Sequence, residues 1–365
     1  MADKSPVKTN KNHGGKEFKG YFHFVGKLNP VRKKDEVTDN WEDQPIYEET
    51  KSRSGKPMRK VHFNVETAEG NELKIELFGM EQAFVWPYSS THNKAHKIVW
   101  SDRHNKEKFP DDTYHLIDPD WDKAEKVGQE VSSDKWVEVR GHYEPNEFTT
   151  DDGKEFKNVR RVFDSVTVIE DGQEIKLNKK EKLNYVCDFK SPDFKEVNRF
   201  NMQIGIRSTY ADEAKGETRV NGVFLAYGKD RSEPKDVELV VYQTETTEGK
   251  KSLADAFASL EALDFIEVVG VDNNRATFAE VPVEDNVSDD DPFADVDESN
   301  KQIRYERVVN GSKKGLEITG YVTGTLIRKF LTEEEISKSI QTTNEDPFSG
   351  SSEDPFTFDE DDLPF

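Results

Sequence analysis

Cationic and aromatic side chains alternate along "FKGYFHFVGKL", residues 18 to 28, where an extended chain would put Lys19, Tyr21, His23 and Lys27 on one side. Such a row suits a ligand that is both anionic and flat. Cations take phosphates, and rings stack on unpaired bases, each stack contributing roughly 1 to 3 kcal/mol whatever the base. The segment from Asn29 to Pro57 adds Arg32, Lys33, Lys34, Lys51, Arg53 and Lys56 around Trp41 and Tyr47, diluted by Asp35, Glu36, Asp39, Glu42, Asp43, Glu48 and Glu49. Lys60, His62, Trp136, Arg140, Arg160, Arg199 and Arg207 complete the candidate nucleic-acid-binding set from later strands. A charged strand face can equally be merely solvated, and Trp41 can equally pin its loop to the fold. Both readings stay open at this point.

Other chemistries find less support. His92, His96, His104 and His115 share one irregular segment, but they lack the thiolates or the helical H-E-x-x-H frame of zinc sites, so polar loop histidines are the better account and no metal or cofactor is expected. No phosphate-binding loop, no G-x-S-x-G and no paired Cys/His frame occurs, which argues against an enzyme. A nuclease would need acids and arginines to meet in a cleft, and Arg140, Arg160 and Arg161 serve as easily for phosphate contacts. The single Cys187 excludes an intrachain disulfide and fits a reducing compartment.

Strands of period two must position these groups. In the first, Phe18, Phe22, Phe24 and Leu28 face inward; in "RKVHFNVET" (59 to 67) Val61, Phe63 and Val65 do so while Lys60, His62 and Asn64 face out; in "ELKIELFG" (72 to 79) Leu73, Ile75 and Leu77 alternate with Lys74, Glu76 and Phe78. After an irregular insertion, 80–134, come "KWVEVRGHYE" and "NVRRVFDSVTVIE". The order then repeats. "RFNMQIGIR" points Phe200, Met202, Ile204 and Ile206 inward, "VNGVFLAYG" and "VELVVYQT" follow, and "SLADAFASLEALD" reads as a short helix capped by Ser252 with Asp255 closing a capping box. "FIEVVGV" and the segments around "IRYERVV" and "LEITGYVTGTLI" resume the sheet. Three strands, a helix or insertion, then two more is the plan of the oligonucleotide-binding (OB) fold. The sequence therefore predicts an all-β chain with one short helix: two five-stranded Greek-key barrels in tandem, 18–178 and 195–332, after a flexible basic arm (1–17), with an acidic insertion at 281–300 and a disordered acidic tail from 333 to 365. All five tryptophans fall in the first unit, three of them (Trp86, Trp100, Trp121) in its insertion, as stacking surfaces or as the insertion's own small core.

The chain has a net charge of -22, but residues 281–300 and 344–365 each hold eight acids and no Lys or Arg, leaving -6 on the rest. An acidic balance of this kind does not exclude a polyanionic partner. No run of about 18 apolar residues exists, so no membrane span is expected, and the opening residues lack a secretory signal. A soluble, cytoplasmic protein follows.

The chain ends "DEDDLPF", with Asp359, Glu360, Asp361 and Asp362 ahead of Leu363, Pro364 and Phe365. This ending closely resembles the acidic tip of bacterial and phage single-stranded DNA-binding proteins, which is carried behind an OB domain. The resemblance implies a protein that coats single-stranded DNA with little sequence preference during replication, recombination or repair and recruits replication and repair proteins through the tip. With two candidate barrels and no Gly/Gln-rich linker, the chain looks like a larger phage-encoded relative, acting in the host cytoplasm, and its oligomeric state stays open. Asp291-Pro292-Phe293, Asp346-Pro347-Phe348 and Asp354-Pro355-Phe356 echo the tip. An adaptor working through these repeated motifs is the alternative from another class.

Overall fold

A computed structural model describes residues 6–35, 40–52, 55–149, 155–247, 249–282 and 305–337. The candidate Arg53, the acidic connection 283–304 and the tip 359–365 lie outside the described residues.

Ten long strands form two barrels of identical plan. The first holds β1 (Gly20–Asn29), β2 (Pro57–Ala68), β3 (Asn71–Met80), helix α1 (Asp120–Glu130), β4 (Trp136–Thr149) and β5 (Glu155–Val168). The second holds β6 (Val197–Asp212), β7 (Glu217–Ala226), β8 (Glu233–Tyr242), helix α2 (Leu253–Ala258), β9 (Phe265–Pro282) and β10 (Tyr305–Tyr321). In each, the first strand pairs antiparallel with the second and the fourth, the second with the third, and the fourth with the fifth. A parallel contact between third and fifth strands closes the barrel, at Glu76 opposite Val162 and at Leu239 opposite Leu316. This is OB topology, twice.

The inward positions read from the alternation are buried: Phe22, Phe24, Leu28, Val61, Phe63, Val65, Leu73, Ile75 and Leu77 in the first barrel, Phe200, Met202, Ile204 and Ile206 in the second. Each large apolar side chain removed from water contributes roughly 1.5 to 3 kcal/mol, so these rows supply the main driving force for closure. Ser252 caps α2 with the full capping box to Asp255.

The barrels are fused through their first strands. β1 and β6 run antiparallel side by side, with Phe22 opposite Phe200 at the centre of the pairing. About that pair the structure is nearly two-fold. Gly141 in β4 and Gly270 in β9 each follow a bulge, and an added Cβ would strike the Phe22 ring and the Val162 carbonyl in one case, the Phe200 ring and the Glu317 carbonyl in the other. Two residues on, Tyr143 and Asp272 occupy matching positions and meet: the Tyr143 hydroxyl donates to Asp272 Oδ2 at 2.8 Å while its ring packs edge-on against both Phe22 and Phe200. Arg161 completes the seam with Nε and Nη2 donating to the two Asp272 oxygens, each at 2.7 Å. The hairpins also touch across the junction. β4 and β5 lie against β8, β4 also against β7, and β9 lies against β3, where the Asn274 amide donates to Asn71 Oδ1 at 2.7 Å.

Several sequence expectations are corrected. Residues 6–17 are no free arm: Lys8–Thr9 pairs with Lys16–Glu17, Val7 is buried, and Lys16 bonds Glu335 at 2.8 Å. The insertion 80–134 is not wholly irregular, since α1 occupies the usual place between third and fourth strands of an OB barrel and two short ladders precede it. The segments around "IRYERVV" and "LEITGYVTGTLI" belong to one strand, β10, and residues 281–282 to β9, so the acidic stretch is the β9–β10 connection. A third helix, α3 (Glu333–Ile336), sits where the tail was expected to begin, with Ile336 buried in the core. Replacing Asp272 with Ala should leave the Arg161 charge stranded in the seam and cost about 3 to 5 kcal/mol of stability. Urea unfolding measures this, and a loss below about 1 kcal/mol would show that the seam does not rely on the ion pair.

Candidate nucleic-acid interface

Fusion of the barrels decides where the cationic and aromatic residues end up. The outer side of β1 lies in a sheet running β4, β1, β6, β9, so residues there gain neighbours from both barrels. His23, expected at the surface, is only 8% exposed and pairs with Glu138 Oε1 at 2.8 Å, which together with Arg140 pulls the Glu138 carboxyl below its ordinary range. His62 is likewise buried, against the expectation for β2; burial pushes its pKa down, with Lys60 adding to the effect. Trp136 is half-buried, in a satellite cluster with Tyr185 and Phe189 formed by the connection between the barrels. Tyr21 stays 47% exposed on the fused sheet, and Lys19 is exposed beside it.

Most candidate cations already have acids. Lys27 bonds Asp134 at 2.6 Å, Arg32 bonds Asp43 at 3.1 Å, Lys60 bonds Glu48 at 2.7 Å, Arg140 bonds Glu138 at 2.7 Å, Arg199 bonds Glu181 at 3.0 Å and Arg207 bonds Asp236 at 3.1 Å. Arg160 serves Glu76 at 2.6 Å and Glu144 at 3.1 Å and lies over the Phe78 ring. Burial alone would push the Glu76 carboxyl up, but Arg160 and Lys74 bring it below its usual range. On strands 2 and 3 of the first barrel, Lys60 and Lys74 are thus already answered by Glu48 and Glu76.

The connection between β1 and β2 is different. It forms a ribbon, Arg32–Lys34 paired with Trp41–Asp43, followed by Tyr47–Lys51 along the edge of β2. Trp41 stands opposite Lys34 and is 66% exposed. Lys33, exposed on the same ribbon, has no carboxylate partner among the described residues. The ribbon's base is firm: the Tyr47 ring lies against Gly128 of α1, and its hydroxyl donates to Glu49 at 2.7 Å, burial and that bond pushing its pKa up to about 12. Arg59 bonds Glu49 at 3.2 Å and Glu125 of α1 at 2.8 Å, stacking on Trp121. The structure therefore gathers Trp41, Lys33, Lys34 and Arg32 on one arm and leaves Lys19 and Tyr21 on the fused sheet. In the second barrel, Tyr210 is 63% exposed opposite Arg219, a ring that the sequence reading did not single out because its strand simply alternates.

Residues 33–349 match the model of a protein family described as YorF. The chain belongs to the YorF family. Among solved structures, this YorF-family chain is similar to the wild-type single-stranded DNA binding protein from Thermus aquaticus, at 11% identity over 70% of this chain and 85% of that one, with a TM-score of 0.34. A deletion mutant of the same Thermus protein gives 11% identity, coverage of 70% and 86%, and a TM-score of 0.33. The mitochondrial single-stranded DNA binding protein from S. cerevisiae gives 9%, 41% and 94%, with a TM-score of 0.21. No curated protein matches.

Among the described residues of this YorF-family member, no cluster of His, Cys, Asp and Glu is arranged to hold a metal ion. His92 instead bonds Asp111 at 3.1 Å and His104 bonds Asp122 at 3.3 Å. A different histidine is strongly perturbed. Burial disfavours the His142 cation, but bonds to Asp164 at 3.0 Å and Glu144 at 3.4 Å outweigh it and raise its pKa to about 9. The imidazolium thus adds stability that is complete below the unfolded pKa of about 6.5 and is lost as pH rises through about 9. An NMR titration should place the His142 midpoint near that value, and Asp164→Asn should bring it down towards the ordinary histidine range; an unmoved midpoint would assign the shift to another cause.

Proposed function

We propose that the protein binds single-stranded DNA with little sequence preference, using the first barrel and above all its β1–β2 arm. The observation that carries this reading is Trp41: an indole 66% exposed on a two-stranded ribbon, among Arg32, Lys33 and Lys34, at the loop position that OB barrels use for ligands. An exposed ring beside cations is what base stacking with phosphate tracking requires, and base-edge readout is not needed for it. Arg53 belongs to the same connection, and Lys19 and Tyr21 offer a further contact along the fused sheet. The function calls for no bond-making step.

The acidic tip, Asp359 to Phe365, is the recruiting element in this reading, its four acids followed by the apolar side chains of Leu363 and Phe365, with Pro364 limiting the conformations to be frozen on binding. Replication and repair proteins are its expected partners, in a cytoplasmic setting.

Trp41→Ala should weaken poly(dT) binding about 5- to 150-fold and reduce the quenching of tryptophan fluorescence, while Lys33→Ala should flatten the log-log salt slope by roughly 0.7. Unchanged affinity and quenching in Trp41→Ala would overturn the assignment. For the tip, Phe365→Ala should leave DNA affinity where it was and abolish binding to replication proteins, whereas deleting residues 358–365 should raise DNA affinity at low salt by removing a tethered competing polyanion.

A further inference from the structure

The insertion between β3 and α1 carries a surface that barrel closure does not need. In its ladder Phe84–Val85 pairs with Ile98–Val99, and the two-residue period buries Val85 and Ile98 while turning Phe84, Trp86, Lys97 and Val99 to the opposite side. There the Lys97 ammonium lies 3.8 Å from the centre of the Phe84 ring and 5.9 Å from that of Trp86. Lys97 is exposed and has no carboxylate partner among the described residues, and the same holds for Lys106 and Lys108 farther along the insertion. This sets them apart from Lys27, Lys60, Arg140 and Arg160, whose charges are cancelled within the chain.

A cation held against two part-exposed rings with no acid to neutralise it is complementary to an anion attached to a flat ring. The apolar area is small, two half-buried rings and Val99, which is less than a protein partner would cover. The surface is also fixed relative to the arm. The insertion runs straight into α1, and α1 is clamped to the arm's base by Arg59 and by the Tyr47 ring on Gly128.

We propose that the Phe84–Trp86–Lys97 face is a second contact for single-stranded nucleic acid, Lys97 taking a phosphate and Trp86 a base, which lengthens the path that begins at Trp41. The proposal rests on the reading of the arm given above and adds to it the insertion as part of the binding site.

The test uses the full-length protein and oligo(dT) of about 8 and about 30 nucleotides, the shorter being enough for one OB barrel. Lys97→Gln, at an exposed position without an ion pair, should bind the short oligomer as the unaltered protein does. It should bind the long one several-fold more weakly, with a log-log salt slope flatter by roughly 0.7. Trp86→Leu should show the same length dependence, while Trp41→Ala should weaken both lengths. If Lys97→Gln binds the long oligomer normally while Trp41→Ala does not, the second contact is wrong and the arm reading stands. Normal binding by all three variants removes both. An equal loss at the two lengths would place Lys97 within the first contact and overturn the extension. A change in self-association measured by sedimentation, with DNA binding intact, would make the face a protein contact instead.

Discussion

The pairing of β1 with β6 is the constraint from which the other features follow. Two OB barrels joined only by a linker would each leave an outer strand surface free; here the first strands share one ladder centred on Phe22 and Phe200, and each barrel covers part of the other. The seam is not apolar throughout, because Tyr143 and Arg161 of the first barrel meet Asp272 of the second beside the paired first strands. Gly141 and Gly270, each within its own barrel, leave room for the Phe22 and Phe200 rings that meet at the seam by having no Cβ against those rings and the Val162 and Glu317 carbonyls. The polar groups forced into the seam are then satisfied together: Asp272, fully buried, receives Arg161 and Tyr143 on its carboxylate, and its carbonyl accepts from Asn198 at 2.8 Å. Burial and the facing carboxylate push the Tyr143 hydroxyl well above its ordinary pKa, so it remains a donor. An ion pair of this kind adds little net stability over an apolar pair of similar shape, but a missing partner would be severe, which makes it a device for fixing how the barrels register.

Symmetry of the core contrasts with asymmetry at its edges. The second barrel joins β6 to β7 by a tight turn from Asp212 to Glu217, whereas the first replaces that turn with the ribbon bearing Trp41. It also adds the 81–119 insertion where the second barrel has only a short segment before α2. Both additions leave from the same end of the first barrel. Because Lys60 and Lys74 on strands 2 and 3 beside them already hold Glu48 and Glu76, few phosphates could be neutralised there without displacing a carboxylate. On the proposed reading, rings and a handful of unpartnered lysines carry the affinity, and counterion release contributes modestly.

Much of the fold was legible because alternation is a local property. Phe22, Phe24 and Leu28 are buried in the order that period two dictates, and so are Phe200, Met202 and Ile204. The outward positions were less legible for a physical reason: whether His23 faces water depends on β4 and β6, far away in sequence, and nothing about the residue or its spacing records their presence. His62 and Trp136 fail in the same way, one covered beside the arm and the other by the inter-barrel connection. Helix α1 was hidden because its buried stripe is only Trp121, Ala124 and Val127, and because Gly128, a poor helix residue, is required by the Tyr47 ring that lies on it. Trp41 could be named from sequence, but its exposure could not. Lys97 was indistinguishable from any other loop lysine until the rings on either side of it were placed.

The distribution of acid follows from the same architecture. Within the barrels, carboxylates sit where a cation on a neighbouring strand answers them, as Arg160 of β5 does Glu76 of β3 and Arg161 of β5 does Asp272 of β9, or where one on the same strand does, as Lys313 does Glu317. Like charges facing each other across a ladder are destabilising, so a sheet can accept only as much acid as it can pair. The surplus is concentrated in two runs of the sequence, residues 281–300 and 344–365, each with eight acids and no Lys or Arg. Moving the charge there keeps the paired core near neutrality and leaves Lys33, Lys97, Lys106 and Lys108, which have no carboxylate partner among the described residues, as local positive features on an acidic chain. Such features are felt over about a Debye length, roughly 8 to 10 Å near physiological salt, so a distant acidic segment does not cancel them unless it comes to lie upon them. A strongly negative net charge and a cationic aromatic surface are therefore compatible in one chain, and the separation of the two along the sequence is what makes them so.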